Sequence, residues 1–570
     1  LGANASYGAI GGGYRNSGHG YAVVITGGYN NTATGDHAVV GGGKENAAHG
    51  YAGVVAGGYA NHNSAHGGTI AGGVANYLGT PSFASVGGGT TNTARGYATV
   101  IAGGQRNFAN SSWGVVGGGR NNTLRLYSNS SVIAGGERNV VGAPFSAVNG
   151  GNANTVARAG DASVIGGGWS NTVDAPHAAV TGGQGNNVRA EGGAVGGGRH
   201  NVVAAQFAVV AGGDNNTIAD GASVSVIGGG SDNSVGTLLG VVAGGYANSV
   251  TADGYGSVVA GGERNTANAA YGAIGGGWLN YFDGVAGAIG GGWLNTARSE
   301  WGVIAGGSEN SLNGMVGVVG GGWRNNVGAA FGVVAGGSTN GNLGFASVVG
   351  GGWRNVVAAS KYAVVGGGYS NSNAGLAATV AGGYSNSMGA LSSYGTVGGG
   401  LANGVNGYGA VISGGQNNVA NSSWSVVGGG RNNTLLLDAD SAVIGGGDGN
   451  TVGACFAVIG GGNSNTATGR TSAIGGGAYN HNYGDVSTIA GGMYVSVYSA
   501  YGTVAGGHYQ SLYKQYGTIG GGGYNYNYGY GGTIGGGMYV SVYGSWGTVS
   551  GGYYQYLYKQ WGTIGGGAYN

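Results

Sequence analysis

The unit AVVGGGKENAAHGYA at residues 38–52 sets the fold of this chain, because variants of it fill the whole sequence. Its motif Gly-Gly-x-x-Asn recurs 37 times from Asn16 to Asn570, with a period of roughly 15 residues. Asn occupies 33 of the 37 motif positions, and the four exceptions all lie near the C-terminal end: Val495, Gln510, Val540 and Gln555. A fixed period of this length is typical of repeat proteins, in which each repeat packs on the one before it.

A second column of residues indicates what kind of repeat this is. Six residues before the motif position, all 37 repeats carry Val or Ile, and the members that we assign to the core ladder are Ile10, Val40, Ile289, Val319, Val349 and Ile564. An unbroken β-branched column flanked by small residues is typical of a strand rather than a helix. Strands this short, with no helical segment between them, predict an all-β fold: a parallel β-solenoid, or β-roll, of about 37 units of roughly 15 residues.

The order of residues within one unit predicts two strands and a bend. We expect the segment that carries the Val or Ile to be the first strand and Gly-Gly to be a tight bend. The following x-x-Asn-x-Ala/Val segment is predicted to form the second strand. The Asn side chains of successive units would then stack, each amide bonded to the next turn. We predict this structural ladder at Asn16, Asn46, Asn295, Asn325 and Asn355.

The length of one turn has two possible values. The residue before Gly-Gly often alternates between Gly and Ala, as at Gly41 and Ala56, which is compatible with a turn made of two units, or roughly 30 residues. The alternation fails at Gly445, Gly460 and Gly475, which follow one another. We therefore favour one unit per turn, in a single continuous solenoid over 1–570 whose C-terminal part, 479–570, is a Tyr-rich subregion.

The composition excludes several classes of protein. Glycine accounts for 145 of 570 residues and charged residues for only 6%, against about 25% charged in ordinary soluble domains. A net charge of +1 without a basic run argues against nucleic acid as a partner. No apolar stretch is long enough to predict a membrane-spanning helix. The single cysteine, Cys455, excludes an internal disulfide framework and a cysteine-based zinc site, and we expect it to be a small buried apolar residue.

Residue patterns that would support catalysis or metal binding are not found. Calcium-binding β-roll repeats need Asp where this chain has Asn or another neutral residue. His62 and His66 lie four residues apart, but no acidic or cysteine partner accompanies them. Glu137 and Glu263 occupy a variable position that we expect to face solvent. We therefore predict no catalytic residue, no metal site and no cofactor, and we expect that the protein is not an enzyme.

Aromatic residues at variable positions are the candidate contact or assembly surface. The first variable position of the motif holds the tryptophans, with Ser308 and Ser338 between some of them: Trp278, Trp293, Trp323 and Trp353. In the Tyr-rich part, Tyr513 and Tyr558 stand beside Lys514 and Lys559. Exposed aromatic columns of this kind can stack on sugar rings or pack against a second chain, and the residues leave both interpretations open.

A run of threonines precedes the Val/Ile column in the last repeats, at Thr488, Thr503, Thr518, Thr533, Thr548 and Thr563. A flat Thr ladder is found in ice-binding solenoids, but those surfaces generally have more than one regular column. The ordinary preference of Thr for strands explains the run more simply.

The units also resemble a known family. Residues 38–43 and 46–52 are similar to the head repeats of trimeric autotransporter adhesins, the YadA-like kind. The resemblance implies a left-handed parallel β-roll and an extracellular adhesive or structural role. We accordingly expect a fibre or filament subunit, or adhesin rod, at the cell surface.

The partners expected for such a fibre are further copies of itself, as a homotrimer or an end-to-end polymer. Neither end of the sequence reads as a polar cap, so we expect that the chain polymerises or continues beyond the residues given. The alternative is a glycan- or receptor-binding fibre module, such as an adhesin head or a phage tail-fibre-like protein, that uses the exposed Trp and Tyr residues.

Overall fold

A computed structural model describes residues 1–3, 5–80 and 82–569 of the chain. These residues form two compact units, Leu1–Ala286 and Gly287–Asn570. Each unit is a parallel β-solenoid, and within the described residues every regular element is a β-strand of two residues. The predicted all-β solenoid class is confirmed. The last motif position, Asn570, lies outside the described residues.

Each turn has its two strands at fixed places relative to the motif position. The first strand occupies the seventh and sixth residues before it, and the second strand occupies the first and second residues after it. In the first unit the strands run from Ala9–Ile10 and Ser17–Gly18 to Ala273–Ile274 and Tyr281–Phe282. In the second unit they run from Ala288–Ile289 to Thr563–Ile564.

The motif positions give the bounds of every strand by this rule. In the first unit they are 16, 31, 46, 61, 76, 92, 107, 122, 139, 154, 171, 186, 201, 216, 233, 248, 265 and 280. In the second unit they are 295, 310, 325, 340, 355, 371, 386, 403, 418, 433, 450, 465, 480, 495, 510, 525, 540, 555 and 570, the last with a first strand only. The chain therefore has the 37 turns that the repeat predicts.

The strand register settles the length of one turn. Val24–Ile25 pairs in parallel with Ala9–Ile10 on one side and with Val39–Val40 on the other, so each strand pairs with its counterpart in the very next unit. One unit per turn is thus confirmed, and the alternative of two units per turn is wrong. Longer repeats keep the same register: Thr123–Leu124 pairs with Val140–Val141, because the extra residues fall in the connection after the second strand. At about 4.8 Å per turn, the 18 turns of the first unit form a stack roughly 85 Å long.

The second strand differs from its prediction. The first residue after Gly-Gly makes only a single bridge to its counterpart, as Tyr14 does to Tyr29. The next residue, Arg15 in the same turn, has a left-handed backbone with φ 59°. That residue bends the chain inward, so the motif Asn enters the interior and a strand begins only after it, at Ser17–Gly18. An extended x-x-Asn-x-Ala/Val run could not turn this corner.

The core is narrow and contains few kinds of residue. Val40, Ile289, Val319 and Val349 of the Val/Ile column are 0% exposed. Ile10 and Ile564, in the first and last turns, are half-buried. Opposite them lie the motif asparagines and the second residue of each second strand, which is most often Val or Ala. Larger residues also occur there, among them Leu78 and Phe282.

Cys455 does not fill the core as expected. It is only half-buried, and its Sγ lies 3.2 Å from the carbonyl oxygen of Asp438. The longer preceding turn places it in a surface connection, where the thiol has a backbone acceptor rather than apolar neighbours.

The motif Asn holds adjacent turns together through backbone groups. The Asn325 Nδ2 donates to the carbonyl oxygens of Gly321 in its own turn, at 2.8 Å, and of Gly337 in the next turn, at 3.0 Å. Its Oδ1 accepts a hydrogen bond from the backbone N–H of Asn340 at 3.0 Å. One amide therefore completes one buried and two half-buried backbone groups at the corner where no strand partner is available. Direct amide-to-amide bonds, as from Asn61 Nδ2 to Asn46 Oδ1 at 3.1 Å, are additional.

The second Gly of the motif is required by the same contact. Gly43 has φ 87°, and a Cβ added to it would lie 2.2 Å from the Gly58 carbonyl oxygen and 2.6 Å from Asn46 Nδ2. A side chain at this position would therefore occupy the space of the amide and its acceptor. The second Gly and the Asn of the motif are therefore required together.

We predict that Val319→Asp destabilises the second unit by about 3–5 kcal/mol, because it places an unpaired charge among apolar residues. The matched control is Val318→Asp, since Val318 lies on the same strand and is 37% exposed. Chemical denaturation and limited proteolysis measure the difference. Equal stability of the two variants would contradict the inward orientation of this column.

We predict that Asn325→Ala lowers the free energy of unfolding by about 2–4 kcal/mol, because one buried and two half-buried backbone groups lose their partner. Asn326→Ala is the control, since this neighbouring Asn is half-exposed on the second strand. Thermal melting of both variants is the measurement. A cost for Asn325→Ala no larger than that of the control would show that the amide ladder is not needed.

Candidate functional site

The four predicted tryptophans lie on the surface. Trp278, in the first unit, bridges to Glu263 of the preceding turn. In the second unit, Trp293, Trp323 and Trp353 lie on alternate turns, and Ser308 and Ser338 bridge between them. Two turns, or about 9.6 Å, therefore separate successive tryptophans of this column. Serine therefore separates the indoles of the second unit, as the sequence indicates.

The tryptophan rings are partly covered by charged neighbours. The Arg324 guanidinium lies 4.4 Å from the centroid of Trp323, and Arg354 lies 4.6 Å from that of Trp353. Glu309, on the preceding turn, accepts hydrogen bonds from Trp323 Nε1 at 3.2 Å and from Arg324 Nε at 2.6 Å. The hydrogen bond from Arg324, followed by that from Trp323, lowers the pKa of the Glu309 carboxyl. These ring faces are already engaged in cation–π contacts.

Tyr513 and Tyr558 belong to a continuous ladder. This ladder, called ladder B, takes one tyrosine from each of six successive turns: Tyr483, Tyr498, Tyr513, Tyr528, Tyr543 and Tyr558. Neighbouring ring centroids are 4.4–5.3 Å apart with planes within 4–14° of parallel. The ladder arises because Tyr recurs three residues after the motif position, where the side chain leaves the second strand outward.

A second ladder runs beside the first and was not among the predicted residues. Ladder A contains the residue before each motif position: Tyr479, Tyr494, Tyr509, Tyr524, Tyr539, Tyr554 and Tyr569. Its centroids are 4.7–5.4 Å apart, with planes within 7–15° of parallel. The regular spacing of these tyrosines was visible in the sequence. Their alignment on one surface depends on the left-handed backbone at this position, which the sequence does not signal.

The strip of surface between the two ladders, called the groove, deepens into a cavity in the last turns. Its floor is the first residue of each second strand: Ser496, Ser511, Tyr526, Ser541 and Tyr556. In the last turns it is lined by Tyr554, Tyr556, Tyr558 and Tyr569. Burial, followed by Tyr513 of ladder B and Tyr524 and Tyr539 of ladder A, raises the pKa of Tyr526. Tyr526 is therefore close to both ladders.

Ladders A and B occur in the turns where the motif Asn of the interior is often replaced by another residue. Val495, Gln510, Val540 and Gln555 replace the motif Asn in four of these turns. The Val side chains have no polar atom to offer, and both side-chain polar atoms of Gln510 are buried without a hydrogen-bond partner. Stacked tyrosines outside thus coincide with lost amide bonds inside. Aromatic pairs add about 0.5–1.5 kcal/mol each beyond burial, which is the right size to offset part of the loss.

Other aromatic residues line the corner that precedes each first strand. We call this the edge column. In the first unit it contains Tyr7, Tyr21, His37, Tyr51, His66, Phe83, Tyr97 and Trp113, with centroids 4.8–5.8 Å apart. In the second unit, Tyr394, Tyr408 and Trp424 repeat the arrangement at 5.5 and 5.1 Å. Most of these rings meet edge to face, and Trp113 and Trp424 are 58% and 59% exposed.

The histidine pair considered as a metal site is not assembled. His66 stacks on Tyr51 in the edge column, whereas His62 stacks on Tyr77 on the second strand. Burial, followed by the neighbouring His49, lowers the pKa of His62. Within residues 1–3, 5–80 and 82–569, no three His, Cys, Asp or Glu side chains come together as metal ligands would.

The remaining surface candidates are placed by the strand pairing. Glu137 forms ion pairs with Arg120 of the preceding turn and, at 3.6 Å, with Arg138. The six threonines pair in register on the first-strand sheet as one column. The described residues include no helix with the length and apolarity of a membrane span.

No protein-family model matches the chain, and no curated protein matches it in sequence. The parallel β-solenoid is the part of the adhesin-head resemblance that the fold bears out.

We predict that Tyr528 of ladder B ionises late and that the stability of the folded chain falls when it does. Burial, followed by repulsion from Tyr513, raises the pKa of Tyr528 to about 12, whereas an unfolded Tyr ionises near about 10. The neutral phenol therefore stabilises the folded chain fully below pH ~10, and this contribution is lost as the pH rises through about 12.

Absorbance titration of tyrosinate, with melting curves over the same pH range, measures this effect. Tyr528→Phe should remove one late-titrating phenol, and the exposed Tyr127→Phe is the control. A titration in which Tyr528→Phe removes an ordinary phenol would contradict the packing of the ladder.

Proposed function

We propose that this chain is a non-catalytic structural subunit of an extracellular fibre. In this proposal the solenoid is a spacer, and exposed aromatic columns join it to further copies. The observation that carries the proposal is the combination of a uniform interior, repeated turn after turn, with long exposed aromatic columns on the outside.

The interior supports a role as a spacer. Asn46 in the first unit and Asn325 in the second make the same three backbone bonds, of 2.8, 2.9 and 3.0 Å for Asn46 and of 2.8, 3.0 and 3.0 Å for Asn325. Each turn bonds only to the turns before and after it, so adding repeats lengthens the protein without changing its contacts. A regular stack of turns of this kind suits a spacer, whose length is determined by the number of repeats, better than a catalyst.

The surface supports self-association. Large aromatic side chains of the edge column, such as Phe83, Trp113 and Trp424, are more than half exposed. Aromatic columns of this size are unusual on a monomer that stays apart from other proteins. With 6% charged residues and a net charge of +1, two copies also approach without strong repulsion. We propose the edge column as the lateral contact between copies.

An extracellular location is part of the same proposal. It is supported by the resemblance of the repeats to adhesin heads.

A second candidate function is contact with glycans through ladders A and B. The observation that favours it is the groove between the ladders, which is long, open and lined by tyrosine and serine hydroxyl groups. Such a face suits a linear, hydroxyl-rich ligand better than a compact small molecule.

The fibre proposal predicts concentration-dependent self-association. Sedimentation velocity and negative-stain microscopy of the 570-residue chain should show assemblies that grow with concentration. The combined Phe83→Ser, Trp113→Ser and Trp424→Ser variant should shift the population toward the monomer, because it removes three large edge-column rings that are more than half exposed.

The control for this experiment removes apolar surface elsewhere. Leu391→Ser and Leu437→Ser change side chains that are 80% and 76% exposed outside the aromatic columns, and self-association should persist. A monodisperse monomer for the unmodified chain at all concentrations would reject the proposal.

A further inference from the structure

We propose that the face formed by ladders A and B binds an acidic polysaccharide, a linear glycan that carries carboxylate groups. The inference rests on the second candidate function above and names its ligand class. It is independent of self-association, which we assign to the edge column.

The geometry of the ladders favours a long ligand over a single sugar. Because the rings of each ladder stack on one another, their faces are largely occupied, and a ligand meets ring edges and phenol hydroxyl groups. These groups repeat at every turn, about 4.8 Å apart, along six turns. Tyr498, Tyr543 and Tyr558 are 48%, 43% and 68% exposed. A polymer that lies along the groove can use many such hydroxyl groups at once.

The floor of the groove adds hydroxyl groups of its own. Ser496 and Ser511 lie half-buried between the ladders, and Tyr526 lies there in the next turn. Hydroxyl groups both donate and accept hydrogen bonds, as sugar hydroxyls do. The walls and floor thus match a polyhydroxylated chain.

The charge pattern of this face favours an acidic polymer as its ligand. From residue 486 to residue 570 the sequence contains no Asp, Glu or Arg, and its only lysines are Lys514 and Lys559. Each lysine directly follows a member of ladder B, Tyr513 or Tyr558, and both lysines are exposed. They lie three turns apart, about 14 Å along the solenoid. Beyond its first turn, where Asp485 lies, the face is therefore free of negative charge, and it carries two cations at its rim.

This pattern argues against the other partners that an aromatic, basic surface can bind. Two cations over six turns are sparse for a nucleic acid, which presents a phosphate at every nucleotide. A neutral glycan would make no use of the lysines. The tryptophans are a weaker glycan site, because Arg324 and Arg354 already cover Trp323 and Trp353.

The test uses the full-length chain and labelled polygalacturonate as the probe. We expect saturable binding that weakens as NaCl is raised, because screening reduces the attraction between lysine and carboxylate. Lys514→Gln combined with Lys559→Gln should weaken binding about tenfold, which corresponds to a modest charge contribution from each lysine. Lys44→Gln combined with Lys361→Gln removes the same charge elsewhere and should leave binding unchanged.

A second variant tests the hydroxyl groups without removing the stack. Tyr513→Phe, Tyr528→Phe and Tyr543→Phe together keep the rings of ladder B and should weaken binding several-fold. Circular dichroism and melting of each variant establish that it folds. Unchanged affinity in both the lysine and the phenylalanine variants would overturn the assignment of the face.

Three comparison probes identify the ligand class. Carboxyl-reduced polygalacturonate should bind at least about tenfold more weakly, and equal binding would overturn the acidic preference while leaving the glycan function. Polyglutamate or an oligothymidylate that binds as tightly as polygalacturonate would overturn the polysaccharide assignment. Self-association measured in the same samples keeps the fibre proposal separate, since an assembling chain that binds no polygalacturonate contradicts only the inference made here.

Discussion

The buried amide of the motif Asn is the interaction on which the rest of the structure depends. At each corner after Gly-Gly the backbone turns into the interior and leaves polar groups without strand partners. One Asn side chain supplies two donors and an acceptor, and so completes a carbonyl in its own turn together with a carbonyl and an N–H in the next. Asp, which cannot donate when ionised, would leave the two carbonyls unpaired, and Leu, which has no polar atoms, would leave all three groups unpaired. The second Gly of the motif is required because a side chain at that position would occupy the space of the amide.

The rest of the molecule follows from this corner. Because the interior is fixed by Asn, Gly and a Val/Ile column, outward positions vary freely and can form surface columns of one residue type. The C-terminal turns show how the interior residues and the surface columns are linked. Where Val and Gln replace Asn, tyrosine ladders cover the surface of the same turns. The stability of this part is therefore carried more by stacked rings outside, and the tyrosine face that we propose as a ligand site also serves to hold the turns together.

The sequence predicted which residues repeat from turn to turn but not how the backbone bends after Gly-Gly. The fold class, the turn of one unit and the burial of Val319 follow from periodicity and residue type. The left-handed residue that precedes the motif Asn, and delays the second strand until after it, could not be predicted. Residues as different as Arg15, Glu45 and Tyr494 adopt this backbone conformation, so no residue preference indicates it. For the same reason ladder A was missed although its spacing was regular. The covering of Trp323 by Arg324 depends on side-chain placement that a repeat pattern cannot give.

The role of the amide ladder is tested most directly by hydrogen exchange at the backbone amides of the motif positions. These N–H groups, such as that of Asn61, have the Oδ1 of the preceding Asn as their acceptor, so their protection reports on the side-chain ladder itself. We expect them to exchange as slowly as the amides of the Val/Ile strands wherever the preceding turn has Asn at the motif position. Exchange should be faster at Gln510, Asn525 and Gln555, whose counterparts one turn earlier are Val495, Gln510 and Val540. Rapid exchange at the motif asparagines, comparable to that of the exposed connections, would show that the ladder does not hold the turns together.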